Sequence, residues 1–266
     1  ISGSMLACYG LGQAINGNLG DKFGARRLMA LGALLSCILN WGVSFAFSFQ
    51  SALILWAANG FAQSLGWAPG SRLISNWWPK DERGTAFGLY TFAAGSSSVL
   101  TFCLAIGVLY IVDSMGAGSD SWRWTFRLPV LLLPVGAIVF YLVARDRPED
   151  LGFLPPDDQS GAVDRSETDG EPIAVDPATG ETSFQRYAAV LSNRRFMIAC
   201  VAIGFESWAR YGLLTWVPVH YLGENWKAQG NLWITLALPI GMACGALTAG
   251  RLSDRLFHSN RSRPIF

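Results

Sequence analysis

The feature that most constrains this chain is a succession of apolar segments long enough to cross a bilayer, joined by short charged turns. They run over 1–17, 28–48, 52–78, 85–112, 126–144, 196–222 and 231–249. About 20 apolar residues in helical rise span the hydrocarbon core, whereas a barrel strand needs only about ten. The pattern therefore predicts an all-α membrane protein with seven crossing helices and the lipid bilayer as its surroundings. Hydrophobic residues make up 51% of the chain and charged residues 15%, which is too apolar for an ordinary soluble domain of this size. Stretches such as Ala93-Ala94-Gly95-Ser96-Ser97-Ser98 and Gly241-Met242-Ala243-Cys244-Gly245-Ala246 suit close helix packing rather than ligand contact. A net charge of +1 excludes nucleic acid as a partner on bulk charge.

A charged turn recurs. Gly17-Asn18-Leu19-Gly20-Asp21-Lys22-Phe23-Gly24-Ala25-Arg26-Arg27 is echoed by Gly250-Arg251-Leu252-Ser253-Asp254-Arg255, each directly after an apolar segment. Recurrence after every sixth segment reads as a duplicated membrane protein of two halves. In each copy Asp and Arg follow a helix end. Gly17, Asp21, Arg26, Arg27, Asp254 and Arg255 are thus candidates for loops that bridge the cytoplasmic ends of neighbouring helices and hold one conformation until the halves rock. Simple topology-setting charge is an equal alternative for each arginine. Of the twenty Lys and Arg residues, only Arg123, Arg127 and Lys227 fall in the alternate connections, and Arg210 falls inside a span. All the others share one side, which the positive-inside rule makes cytoplasmic.

The organisation expected is 1–145 as the N-terminal half (helices 2 to 6), 146–193 as a cytoplasmic linker, and 194–266 as the start of the C-terminal half (helices 7, 8 and the onset of 9). The linker holds more than half of the nineteen acids and reads as mostly disordered. Both ends read as cuts in a longer chain, leaving out the first helix and the C-terminal helices.

Arg210 is the foremost candidate for chemistry. It lies mid-span, where insertion of an arginine costs about 2.5–3.5 kcal/mol, so it should face a cavity or a partner rather than lipid. Its guanidinium suits bidentate capture of a phosphate or carboxylate. Glu206 sits four residues earlier on the same helix face and either neutralises it or takes up a proton when substrate arrives. The five cysteines all lie in apolar segments without paired spacing, as small buried hydrophobes rather than disulfides or metal ligands. His220 and His258 have no metal spacing. No nucleophile elbow and no phosphate-cradling glycine loop appears, so neither an enzyme nor a bound cofactor is expected.

The Gly-x-Leu-x-Asp-Lys/Arg turns resemble the signature loop of the major facilitator superfamily. Gln63-Ser64-Leu65-Gly66-Trp67-Ala68-Pro69-Gly70-Ser71-Arg72, Trp77-Trp78, Glu82-Arg83-Gly84, Arg145-Asp146-Arg147-Pro148 with Gly152 and Pro155-Pro156, and Arg210-Tyr211-Gly212 with Trp216 and Pro218 resemble its organophosphate:phosphate antiporter family. The resemblance implies a twelve-helix monomer in a bacterial inner membrane that exchanges a small phosphorylated anion for inorganic phosphate by rocker-switch alternating access. It implies that Arg210 binds phosphate and that Tyr9 faces the site, which Tyr211 and Gln13 complete. Gln13 stands where glycerol-phosphate carriers have lysine, Ala94 where they have histidine, and Pro239 where they have glutamate. Fewer fixed charges argue against glycerol 3-phosphate itself. The alternatives are proton-coupled carboxylate symport through Glu206 and a transporter-like sensor of sugar phosphate.

Overall fold

The structure, a computed structural model, describes residues 1–116, 118–154, 183–222 and 232–256. Among the described residues it contains helices and no strands. The long helices are α1 (Ser2–Phe23), α2 (Ala25–Ser44), α3 (Phe49–Trp77) and α4 (Arg83–Ser114), followed by α5 (Ser121–Arg127) and α6 (Leu132–Val143). After the central stretch come α7 (Ser183–Ser192), α8 (Arg194–Leu222) and α9 (Leu232–Leu256). Two compact units result, one formed by Ile1–Gly161 with Pro239–Phe266 and the other by Ala162–Leu238.

Helices stand at all seven expected spans. The 126–144 segment takes in the end of α5, a 3-10 turn at Pro129–Leu131 and all of α6, broken where Pro129 has no N–H to continue the ladder. Among the described residues, five segments are long and apolar enough to cross a membrane: Ala25–Ser44, Arg83–Ser114, Ser121–Val143, Arg194–Val217 and Leu236–Arg255. α1 and α3 have the length, 22 and 29 residues, without the apolarity. Asn16 of α1 and Asn59 and Ser64 of α3 are buried, and α1 packs chiefly on α3 and α3 on α2.

That packing follows the logic of a bilayer. Leu31, Leu34, Leu35 and Ile38 of α2 are exposed, whereas Asn16, Ser36, Asn59 and Ser64 are buried. Lipid tails are as apolar as leucine, so helices associate through close backbone approach and interhelical hydrogen bonds. Asn16 Nδ2 donates to Ser64 Oγ at 2.6 Å, joining α1 to α3. Ser36 Oγ donates to Asn59 Oδ1 at 2.7 Å, joining α2 to α3. A Cβ at Gly60 would meet the Met5 carbonyl oxygen, so only glycine allows α1 and α3 this separation.

The loops add caps. Ser48 and Ser51 form a reciprocal capping box at the start of α3, with Ser48 Oγ accepting from the Ser51 amide at 3.2 Å. At the end of α2, Arg123 Nη1 donates to the Ser44 carbonyl at 2.6 Å and Arg127 Nε to Ser44 Oγ at 3.0 Å. Both guanidiniums also lie over aromatic rings, Arg123 over Trp122 and Arg127 over Phe45.

Both ends of the central stretch, which was expected to be mostly disordered, carry short elements. Pro148–Leu151 forms a 3-10 turn closed by Gly152 at φ 80°, and Ser183–Ser192 is helix α7. The part of that expectation falling on 155–182 lies outside the described residues.

Candidate functional site

The candidates group into three places. In the second unit, Glu206, Arg210 and Tyr211 lie on α8. The Arg210 guanidinium sits over the Tyr211 ring, 4.9 Å from its centroid. Its Nε is buried and has no hydrogen-bond partner among the described residues. Glu206 is exposed one turn away, and the i,i+4 ion pair left open by the spacing is not formed among the described residues. Arginine has five donors in a rigid fork, and the Nε edge is one of its two bidentate faces. Cation–π contact holds the plane of the fork while that edge stays unmet. Beside it, an open groove of about 900 Å³ is lined by Trp208, Ala209, Gly212, Leu213, Trp216, Val217 and His220; Arg210 is not among its walls.

In the first unit, Tyr9 and Gln13 are half-buried on α1. Tyr90 of α4 stacks on Trp67 of α3, centroids 4.8 Å apart, and donates its hydroxyl to the Gly66 carbonyl at 3.2 Å. These two aromatic residues carry no chemical motif of their own, and the sequence reading passed over both as site residues.

The third place is the pair of charged turns. α1 ends at Gly24, whose φ of 85° lets α2 start at the next residue. A Cβ there would lie 2.6 Å from Asp146 Oδ2, so Gly24 is required by conformation and by space. Asp146 Oδ1 accepts from the Arg26 amide at 2.8 Å and so caps α2 from the far end of the unit. The strap carrying Asp146 is itself held: Trp77 Nε1 donates to the Arg145 carbonyl at 2.8 Å, and Asn76 Nδ2 to the Asp146 carbonyl at 2.9 Å. Arg26 Nε donates to the Tyr141 carbonyl at 2.6 Å, with its guanidinium over the Tyr141 ring. Arg26 thus binds α6, Arg27 is exposed, and the Asp21 side chain lies outside the described residues. Gly17 lines a cavity of about 330 Å³ with Gly20, Ala68, Pro69, Ser71, Arg72 and Ser75.

The second turn engages α4. Asp254 Oδ2 accepts from the Thr85 amide and from Thr85 Oγ1, the latter at 2.8 Å. Thr85 stands in the first turn of α4, where unpaired amides and the helix dipole favour a carboxylate. The backbones of α4 and α9 meet at glycine: a Cβ on Gly250 would lie 2.5 Å from the Gly84 carbonyl oxygen, and one on Gly88 would lie 2.9 Å from that of Ala246. Arg255 points to solvent. Both turns therefore work by carboxylates capping distant helix starts, and Asp146 and Thr85 are the partners that spacing did not reveal. The acid between two arginines before Pro148 was the available signal for the first.

Helices of membrane-spanning length, a duplicated Gly-x-Leu-x-Asp turn and buried polar residues under exposed leucines define a multi-pass helical membrane protein. The family model of the Major Facilitator Superfamily matches residues 1–266, and the chain belongs to that superfamily. It is 28% identical over 264 residues to the glycerol-3-phosphate transporter of Haemophilus influenzae, covering 95% of this chain and 54% of that protein. It is 26% identical to the phosphoglycerate transporter protein of Salmonella typhimurium, covering 98% and 56%. A probable hexose phosphate transport protein of Chlamydia pneumoniae is also 26% identical, covering 98% and 57%. The chain thus spans about half the length of the curated relatives it matches. Among solved structures, the xylose transporter XylE of E. coli, in a partially occluded inward open conformation, superposes with a TM-score of 0.52 at 15% identity over 95% of this chain and 61% of that one. This likeness concerns the fold alone.

Proposed function

We propose that the protein is a secondary transporter that carries a phosphorylated small metabolite across the membrane in exchange for inorganic phosphate, by rocking of two helical halves. The observation that carries this reading is the buried Nε of Arg210, which has no hydrogen-bond partner among the described residues, on a helix long and apolar enough to span a bilayer. An unpaired buried donor costs about 1–3 kcal/mol, and a hydrogen bond to a charged group returns a similar amount. An oxyanion at that edge would relieve this cost. Inorganic phosphate and a phosphate ester offer the same oxygens, so either passenger satisfies the fork. Exchange follows, because the return journey is eased by whichever phosphate is at hand. The names of the relatives favour phosphate esters over carboxylates as the class of passenger.

Tyr9, Gln13 and Tyr211 are proposed as further substrate contacts, and the Asp254–Thr85 contact as a latch that opens and closes in the cycle. The proposed division keeps 1–145 and 194–266 as parts of the two halves, with 146–193 between them on the cytoplasmic face of a bacterial inner membrane. The test is counterflow by the full-length protein in liposomes loaded with inorganic phosphate. Uptake of labelled phosphate ester without a pH gradient supports exchange. Uptake that strictly requires the gradient assigns Glu206 to proton-coupled symport, and saturable binding without any uptake makes the protein a sensor.

A further inference from the structure

Two arginines of α5 converge on the end of α2, and each lies over two aromatic rings. The Arg123 guanidinium is 5.4 and 4.8 Å from the centroids of Phe47 and Trp122, and that of Arg127 is 4.5 and 5.1 Å from those of Phe45 and Trp124. Arg123 has an acid: its Nε pairs with Asp120 Oδ1 at 3.0 Å, while Nη1 donates to the Ser44 and Ala46 carbonyls at 2.6 and 3.3 Å. Arg127 differs. Its Nε donates to Ser44 Oγ at 3.0 Å, and among the described residues its two terminal nitrogens make no hydrogen bond and no carboxylate pairs with it. The acids nearest in sequence are engaged, Asp120 by Arg123 and Asp113 as acceptor from Ser121 Oγ.

The sequence fixes the depth of this group. No charged residue occurs between Arg27 and Ser44 or between Arg127 and Arg145. At helical rise either interval covers about 26 Å, close to the roughly 30 Å of a hydrocarbon core. α2 packs on α5 and α6, so the two intervals run side by side, tied by Arg127 to Ser44 at one end and by Arg26 to the Tyr141 carbonyl at the other. The Arg127 fork therefore stands at the edge of the hydrocarbon, at the level of lipid phosphates. Phe45 and Trp124, the rings under it, are 50% and 37% exposed.

We propose that Arg127 binds the phosphodiester of a membrane phospholipid, in the leaflet at the Ser44 end of α2. Its two terminal nitrogens match two non-bridging phosphate oxygens, and the single negative charge of a phosphodiester balances the one cation here that has no carboxylate. The rings hold the plane of the fork and lie where aromatic side chains meet headgroups and the first acyl carbons. Basic sites between helix ends recognise lipid headgroups in this way. Free phosphate offers the same oxygens, but rings on the fork and two apolar helices beneath it favour an amphiphile. Bound there, the lipid would fasten the end of α2 to the start of the broken α5–α6 span.

The test uses purified full-length protein in detergent and phosphatidylglycerol with a photoreactive diazirine near the glycerol end of one acyl chain, the labelled peptides being mapped by mass spectrometry. Label is expected on 41–47 and 122–133. Arg127→Gln should reduce it roughly tenfold or more, whereas Ser44→Ala, which removes only the tie to Nε, should keep it within about threefold. On the wild type, unlabelled phosphatidylglycerol should compete, and diacylglycerol and inorganic phosphate should not. Label unchanged in Arg127→Gln, or lost as fully in Ser44→Ala, would overturn the proposal. So would competition by diacylglycerol, which would make the contact apolar only, or by inorganic phosphate, which would make it a site for free anions. Absence of label from both segments would overturn it too, because protein would then cover the fork.

Discussion

Removing the Asp254 carboxylate should loosen the contact between α9 and α4 selectively. Asp254 accepts two hydrogen bonds from Thr85, one from the amide and one from the hydroxyl. Hydrogen bonds to a charged acceptor contribute about 1.5–3 kcal/mol each, and a carboxylate at a helix start contributes about 0.3–1 kcal/mol through the dipole. Asp254→Asn keeps one acceptor oxygen and loses the charge, so a cost of about 1–2 kcal/mol is expected, and Asp254→Ala should cost about 2–4 kcal/mol. Thr85→Val deletes only the hydroxyl donor and should cost about 1.5–3 kcal/mol, almost none of it additional in the Asp254→Ala background. Each 1.4 kcal/mol is a tenfold change in a two-state population. Spin labels placed near the start of α4 and the end of α9 in the full-length protein report that population as a distance distribution. Asp254→Asn should raise the separated fraction by roughly fivefold to thirtyfold. A distribution unchanged in Asp254→Ala, or full additivity with Thr85→Val, would refute the latch.

Two further outcomes test the packing. Gly24→Ala places a side chain at φ 85°, ψ 142° and against Asp146 Oδ2, so it should destabilise the folded protein by about 2–4 kcal/mol; an unchanged thermal midpoint in detergent would contradict the requirement for glycine. Asn16→Ala and Ser64→Ala should couple by about 0.6 kcal/mol, and by no more than about 1.7 kcal/mol, in a double-mutant cycle of unfolding in detergent. Strict additivity would mean that the buried amide–hydroxyl bond does not hold α1 to α3.

The helix count was legible because bilayer thickness fixes the length of a crossing segment, and that length is written directly into runs such as 85–112. The interior was less so. Hydropathy reads α1 and α3 as weak spans, because it scores Asn16, Asn59 and Ser64 as polar without knowing that they meet hydroxyl and amide partners on neighbouring helices. The second charged turn showed its carboxylate but not its partner, and the carboxylate that caps α2 in the first turn, Asp146, lies outside that turn. Asp146 caps a helix 120 residues away in sequence and Asp254 one 169 residues away, and no local period encodes such distances. The Glu206–Arg210 spacing allowed an ion pair, yet periodicity identifies a shared face and not a contact; the guanidinium lies instead over Tyr211. α7 was hidden because an acidic stretch next to it dominated the composition of 146–193, although Tyr187, Val190 and Leu191 already carried the helical period.

The central claim is that the fork of Arg210 receives the passenger's phosphate. The most direct measurement is equilibrium binding of inorganic phosphate and of a phosphate ester to purified full-length protein, with Arg210→Ala and Arg210→Lys beside the wild type. Removing one partner of a buried, hydrogen-bonded charge pair costs about 2–5 kcal/mol, so Arg210→Ala should weaken both ligands by roughly thirtyfold or more. Arg210→Lys, which keeps the charge and loses the bidentate edge, should fall between the two. Affinities unchanged in Arg210→Ala, in protein that remains folded in the membrane, would contradict the account.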